Sequence, residues 1–425
     1  AAALGMVLST LFLEVAKKSL GHVGLPPKGN EGWGRFFLVG LSLIVAGNGL
    51  FKPNISTMIG KLYEPGDVRR DSGFTVFYMS INLGAFIAPF ITASWIATQF
   101  GMKWGFFAAA LGMVLSTLFL EVAKKSLGPV GKPAEGKEGW GMFFVVGIGA
   151  LLMAVGVFFL LSESTILGFL LVGIMLALMS YFIISGIKSG DKVQLQRYIA
   201  MLILFVANAC FWALFEQAGS SMNFFAREFV TPVWGSMEAW QAGGFGVFQS
   251  LNPLYILLFA PLFAMIWPWL DKRNINPSIP RKFALGLIQV ALGFLVLVWA
   301  INNFQNAAGL VPWFFLAFCY LLHTTGELCL SPIGLSMVTK LAAEKETGMA
   351  MGGWFLSIAM AQYVAGIIAA IASGGTAGGA HGPAVGATIG QYADTYWMLF
   401  LVGLGFGIFY LVVAPLINKL MHGVK

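Results

Sequence analysis

The sequence is poor in charge. Only 10% of its 425 residues are Asp, Glu, Lys or Arg, against 58% hydrophobic, and the mean hydropathy is +0.82. Soluble domains carry about 25% charged and about 45–50% apolar residues, so a soluble globule and a disordered chain are both excluded. Cysteine is scarce too. Cys210, Cys319 and Cys329 sit in apolar runs without CxxC spacing, which excludes a disulfide scaffold and leaves three small apolar side chains in helices. The four histidines, His22, His323, His381 and His422, show no metal-ligand spacing. No P-loop, GxSxG or HExxH occurs. The glycine-rich stretch at 374–386, GGTAGGAHGPAVG, fits no dinucleotide or Walker pattern and reads as a flexible loop. The residues therefore point to no enzyme, no metal and no cofactor.

What the sequence has in abundance is long apolar runs. They fall at 36–62, 72–98, 104–123, 141–161, 163–187, 198–217, 246–269, 282–301, 310–335, 350–373 and 394–417. A twelfth, at 1–14, is shorter than the roughly 17 residues a span needs. Backbone polar groups in lipid must be satisfied internally, so these runs are helices and the chain is an all-α polytopic membrane protein. The loops at 61–71, 124–138, 188–197, 271–282 and 339–346 and the tail after 417 hold 18 Lys and Arg; the loops between them hold 2. Basic loops stay in the cytoplasm, so the first set and the C-terminus are expected inside. The net charge of +7 is then a topology signal, and no basic face remains for nucleic acid.

Residues 1–21 recur identically at 108–128, and the likeness continues to Phe37 and Phe144 with six differences. Ancient inverted repeats are far less alike. The copy at 15–35, with Lys17, Lys18, Lys28 and Arg35, precedes a helix that must run inward, and so would lie outside, against the loop charge rule. The expectation is that 1–35 is a misplaced copy of 108–142 and that the true first helices are missing; a natural duplication is the alternative.

Three charges lie inside apolar runs: Lys52, Glu216 and Glu327. A charge at the helix centre costs about 2.5–3.5 kcal/mol on insertion scales and marks a functional candidate. Lys52, in GNGLFKPNIST, is about 24 Å into its run at 1.5 Å per residue. With Gly47, Gly49 and Pro53 around it, it suits a substrate carboxylate or a carboxylate partner in a gate; a snorkelling lysine is the plainer reading. Glu327, in TTGELCLSPIGLSMVTK, can hold a substrate ammonium, carry a proton or pair with Lys52. Glu216, near the outer end of its run, is a proton site or an ordinary helix-end acid. Asn82 and Asn252 are amides within spans, fitted to a neighbouring helix or a ligand. Tyr78 and Trp354 line a pocket or pack as aromatics do in such helices. Ser331 is one helical turn beyond Glu327. Together these describe a helical transporter with a central site for a zwitterion, and a proton as the coupling ion.

The segments GNGLFKPNIST with GDVRRDSGFTVFYMSINLGAF, then FWALFEQAGSSM, NPLYILLFAP, and GELCLSPIGLSMVTKLA with MGGWFLS carry a resemblance. From about residue 36 to 417 the chain resembles the proton-dependent oligopeptide transporter (POT/PTR) family, prokaryotic type, of the major facilitator superfamily. The resemblance implies a major-facilitator-type helical bundle. In it 36–137 supplies the fourth to sixth helices, 138–190 an extra hairpin between the halves, and 191–425 the C-terminal six-helix half. It implies that Lys52 lies near the peptide carboxylate and the proton-coupling network. Asn82 and Asn252 contact the peptide backbone. Glu327 binds the peptide N-terminus with Ser331 beside it, Tyr78 and Trp354 line the pocket, and Glu216 is a proton site. The family's first-helix motif ExxERFxYYG is absent, so the bundle is expected to be N-terminally incomplete. The expected function is proton-coupled symport of di- and tripeptides across the inner membrane by alternating access, with peptide, protons and the lipid bilayer as partners. The alternatives are a non-transporting membrane fragment, a family relative carrying another peptide-like or anionic solute, and, least in keeping with the residues, a membrane enzyme.

Overall fold

The structure, a computed structural model, describes residues 38–48, 58, 62, 69–127, 130, 140–162, 164–372 and 388–424. Among them ten helices are long and apolar enough to cross a membrane. There is no β-strand among these residues beyond an isolated bridge between Val230 and Val311. Ten of the eleven apolar runs correspond to these spans. The run at 36–62 is represented by helix α1, Leu38–Asn48. Apart from residues 58 and 62, its remainder, with Lys52, lies outside the described residues, as does the copy at 1–35.

The chain divides into two compact units. The first comprises residues up to Leu167 together with Ala242–Val247. It contains α1, α2 (Arg69–Pro89), α3 (Met102–Ala123) and α4 (Trp140–Ser162). Pro89 has no N–H to give, and directly after it the helix widens into a π-helical stretch, Phe90–Ile96, before closing at Ala97–Phe100. Gly101, at φ 96°, makes the turn into α3. The 242–247 segment rests on the π-helical stretch: a Cβ on Gly243 would lie 2.7 Å from the Ala93 carbonyl oxygen.

The second unit comprises Gly168–Gln241 and Phe248–Lys425. α5 (Ser164–Lys188) leads into it. There follow α6 (Lys192–Phe215), α7 (Ser221–Phe229), α8 (Met237–Ala242), α9 (Leu251–Asp271), α10 (Ile279–Asn303), α11 (Trp313–Leu341), α12 (Thr347–Ala372) and α13 (Ile389–Leu420). Within this unit α10 is a central column. Gly286 of α10 and Gly326 of α11 face each other so closely that a Cβ on either would come within 2.8 Å of the other's carbonyl oxygen. Gly403 and Gly407 of α13 abut Ala291 and Ile288 of α10. Lipid offers no hydrophobic drive between helices, so close backbone approach through small residues is what holds such contacts together. Helix starts follow ordinary capping chemistry. Asp191 accepts from the Val193 N–H at 2.8 Å, and Thr388 with Gln391 forms a capping box on α13.

The spans run further than the apolar runs suggest. α6 starts at Lys192 and α11 extends to Leu341, because helices continue into charged ends whose long side chains reach the interface. The stretch 218–245, read as a loop, holds α7 and α8. Its buried Trp240 donates from Nε1 to the Ala226 carbonyl at 2.8 Å.

Candidate substrate site

The site is built on α11. Pro332 interrupts its hydrogen-bond ladder one turn past Glu327. Gly326 presses α11 against α10, and the next residue, about 100° around the helix, is Glu327. Glu327 is buried, and its Oε2 accepts from the Asn252 Nδ2 of α9 at 2.8 Å. The same amide reaches the Thr324 Oγ1 at 3.1 Å, and Thr324 donates to its own helix at Tyr320. Glu327's partners among the described residues are thus a neutral amide and, through it, a hydroxyl. That geometry satisfies hydrogen bonds without neutralising a charge, and it leaves a buried carboxylate competent to receive a cation.

A second group of hydrogen bonds starts from the Tyr320 side chain, one turn before Thr324. The Tyr320 hydroxyl donates to the Ala218 carbonyl at 3.1 Å, and the Gln249 Nε2 donates to the same carbonyl at 2.8 Å and to Asn223 Oδ1 at 3.1 Å. Ala218 lies in the 3₁₀ turn Glu216–Gly219, where α6 breaks. Glu216, half-buried in that turn, accepts from Gln362 Nε2 of α12 at 3.2 Å. The turn that holds Glu216 is thus tied to α11, the helix of Glu327, by the hydrogen bond from Tyr320 to Ala218.

The other candidates are placed as follows. Ser331 is half-buried one turn beyond Glu327. Trp354 of α12 is buried against Gly334 of α11, where a Cβ would come 2.1 Å from its ring. Phe205 and Phe283 meet it edge-on, with centroids 6.0 and 6.2 Å away. Its tight seat makes Trp354 a packing residue in this conformation. In the first unit, Asn82 is buried and donates to the Tyr78 carbonyl at 3.0 Å, one turn back in α2, while the Tyr78 ring is exposed. Lys52 lies outside the described residues.

Three polar residues escaped the sequence reading. Thr324 and Gln249 make the hydrogen bonds described above, and Asn208 of α6 donates to Ser357 Oγ of α12 at 2.8 Å while fully buried. Asn208 carries the signal that singled out Asn82 and Asn252, an amide within an apolar run. His323 is buried with Nε2 3.1 Å from the Val290 carbonyl, which can only accept, so Nε2 carries the proton. No cluster of three metal-ligating side chains occurs among the described residues.

A family model described as the POT family matches residues 2–386. The chain belongs to the POT family. A protein of Bacillus subtilis described as an uncharacterized transporter is 35% identical over 95% of this chain and 78% of its own length. The peptide transporter YePEPT of Yersinia enterocolitica is 36% identical over 82% of this chain and 71% of its own. The dipeptide and tripeptide permease B of Aeromonas hydrophila is 30% identical over 90% of this chain and 74% of its own. Among solved structures, a peptide transporter POT in complex with sulfate matches with a TM-score of 0.72 and 32% identity, covering 99% of this chain and 82% of that one. A mutant of peptide transporter POT is similar in complex with alafosfalin, also at a TM-score of 0.72. As a POT-family chain with ten apolar spans among its described residues, this is a multi-pass membrane transporter.

Proposed function

We propose that this chain carries di- and tripeptides across the membrane in symport with protons. The observation that carries the reading is the buried Glu327 carboxylate of a POT-family chain, which accepts from Asn252 at 2.8 Å while the same amide reaches Thr324 at 3.1 Å. A peptide's α-ammonium brings three donors and a full charge. It can displace the Asn252 amide from Glu327, and the freed amide then turns to a peptide carbonyl. Burial strengthens that exchange, because in a site shielded from water an ammonium gains more from a carboxylate than from an amide. The opposite end of the peptide, a carboxylate, requires a cation, and Lys52 is the intramembrane residue of that chemistry.

Proton coupling follows from the same energetics. A buried carboxylate is costly to move through lipid when charged and unpaired, so an empty carrier reorients with that carboxylate protonated or paired. Glu327 and Glu216, on elements tied by the hydrogen bond from Tyr320 to Ala218, are the groups proposed to exchange that proton. Alternating access then exposes the site to each side of the membrane in turn. Protons are the coupling ion, no cofactor takes part, and no covalent chemistry is performed. The basic-loop bias supports a location in the inner membrane with the C-terminus in the cytoplasm. Peptide-like solutes with a free amine belong to the same chemistry. A POT-family transporter similar to this chain at a TM-score of 0.68 and 26% identity was solved with 5-aminolevulinic acid, a solute with a free amine and a carboxylate.

The experiment is uptake of labelled dialanine into proteoliposomes containing this chain, with and without an inward proton gradient. Uptake that rises with the gradient and falls in Lys52→Ala and Glu327→Gln is the expected result. Absence of uptake from well-folded protein overturns the reading in favour of a non-transporting chain.

A further inference from the structure

Helix α5 is the second helix of the pair spanning 140–188 and stands beside α12 in register. Its buried positions are Gly168, Met175, Phe182 and Gly186. Of these, Phe182 and Gly186 lie against α6, at Tyr198 and Leu195. The contacts with α12 are side-chain contacts at separate points. A Cβ on Gly168 would meet the Tyr363 hydroxyl at 2.4 Å, and a Cβ on Gly353 would meet the Leu178 side chain at 2.9 Å. At the far end the Tyr181 and Ser185 hydroxyls donate to Glu346 Oε1 at 2.9 and 2.6 Å. From Gly168 to Leu178 is ten residues forward, and from Tyr363 to Gly353 ten back; from Leu178 to Ser185 is seven forward, and from Gly353 to Glu346 seven back. One antiparallel register holds over about 25 Å of helix.

Two features show that α6 does not hold α5 along its whole length. Between α5 and α6 an apolar crevice of about 230 Å³ opens, lined by Met179 and Ile183 on one side and Leu202 and Val206 on the other. The remaining α5–α6 contacts cluster at the turn, where Phe182 meets Tyr198 at 5.0 Å between centroids. Glu346 also gathers α6 at that end, because its second carboxylate oxygen accepts from the Tyr198 hydroxyl. One carboxylate on the turn entering α12 therefore holds three hydroxyls from two helices. Hydrogen bonds to a charged acceptor are roughly twice as strong as neutral ones.

We propose that α5 and α12 move as one antiparallel body through the transport cycle, and that Glu346 is the positioning residue that locks their ends together. This rests on the transport reading above. The span at α5 then serves as a strut that stiffens α12, not as a passive connector. Glu346 touches no substrate, so its effect falls on the rate of reorientation and leaves peptide affinity alone.

The test uses the full chain in proteoliposomes. Ser185→Cys with Glu346→Cys is bridged by the reductant-cleavable reagent ethanediyl bismethanethiosulfonate, with each single variant as control. The bridged protein is expected to carry dialanine at a rate within about twofold of its reduced form, since a bond within a rigid body restrains nothing the cycle needs. Uptake that stops on bridging and returns with reductant would show that α5 and α12 slide past one another, and the proposal would be wrong. Failure to bridge at all would contradict the Ser185–Glu346 adjacency. In parallel, Glu346→Ala is expected to lower the maximal uptake rate about fivefold with half-saturation within about twofold, and to lower the melting temperature; Glu346→Gln, which keeps an accepting oxygen, recovers part of both. A Glu346→Ala variant with native kinetics and melting overturns the lock. Should the native chain carry no peptide, the transport reading falls, and bridging yield and melting decide the lock alone.

Discussion

Helices α4 and α11 are both apolar enough to span a bilayer, yet they are opposites. α4 has 6% of its span buried and reads WGMFFVVGIGALLMAVGVFFLLS, with no charged residue. α11 has 67% of an apolar 18-residue stretch buried and carries His323, Thr324, Glu327 and Ser331. In a soluble protein the ranking would be reversed, with the most apolar helix innermost. Here the surroundings are lipid, as apolar as leucine, so nothing forces apolar residues inward. The interior is where polar groups find partners, and the polar content of a span reports its burial. The same contrast holds for glycine. Gly147, Gly149 and Gly156 of α4 face open space, whereas Gly326 and Gly334 of α11 are each pressed against a neighbour.

Substitutions can break that contrast. The largest effect is expected for Glu327→Gln. Glutamine keeps an oxygen for the Asn252 amide, so the fold stands, but the charge facing a peptide ammonium is gone. Dialanine uptake should fall about 100-fold, roughly 3 kcal/mol, with the melting temperature unchanged within a few degrees. Gly326→Leu comes next. Its Cβ would sit 2.8 Å from the Gly286 carbonyl oxygen, so α10 and α11 must part, and thermal denaturation in detergent should register a loss of about 3 kcal/mol. Asn208→Ala removes one buried interhelical hydrogen bond to Ser357 and should cost about 1 kcal/mol by the same assay. The smallest effect is expected for Gly147→Ala on α4, where nothing lies within 4 Å of a new Cβ. It should leave the melting temperature unchanged or raise it slightly, by at most about 1 kcal/mol of stability. A Gly147→Ala loss as large as that of Gly326→Leu would dissolve the distinction between the two helices.

The spans were legible from the sequence because a bilayer imposes one length on every apolar helix. Their ends were not, since Lys192 and Lys340 lie within helices whose charged tips reach the interface. α7 and α8 were missed because runs as short as SMNFFAREF and MEAWQA carry no spanning signal; Trp240 becomes a core residue only by folding back on Ala226. At the site, Glu327, Asn252 and Glu216 stood out as polar groups in apolar runs. Their pairing did not. Asn252 could have bonded a helix or a ligand, and only the packing of α9 on α11 selects Glu327 and Thr324. Trp354 shows the converse limit, for its aromatic character was visible and its seat on Gly334 was not.

The central claim is that the buried Glu327 receives the ammonium of a peptide. Its most direct measurement is the melting temperature of the purified protein with dialanine and with N-acetyl-dialanine, for the native chain and Glu327→Gln. The account predicts that dialanine raises the native melting temperature, that N-acetyl-dialanine, which has no ammonium, does not, and that Glu327→Gln responds to neither. Equal stabilisation of the native chain by both compounds would contradict it.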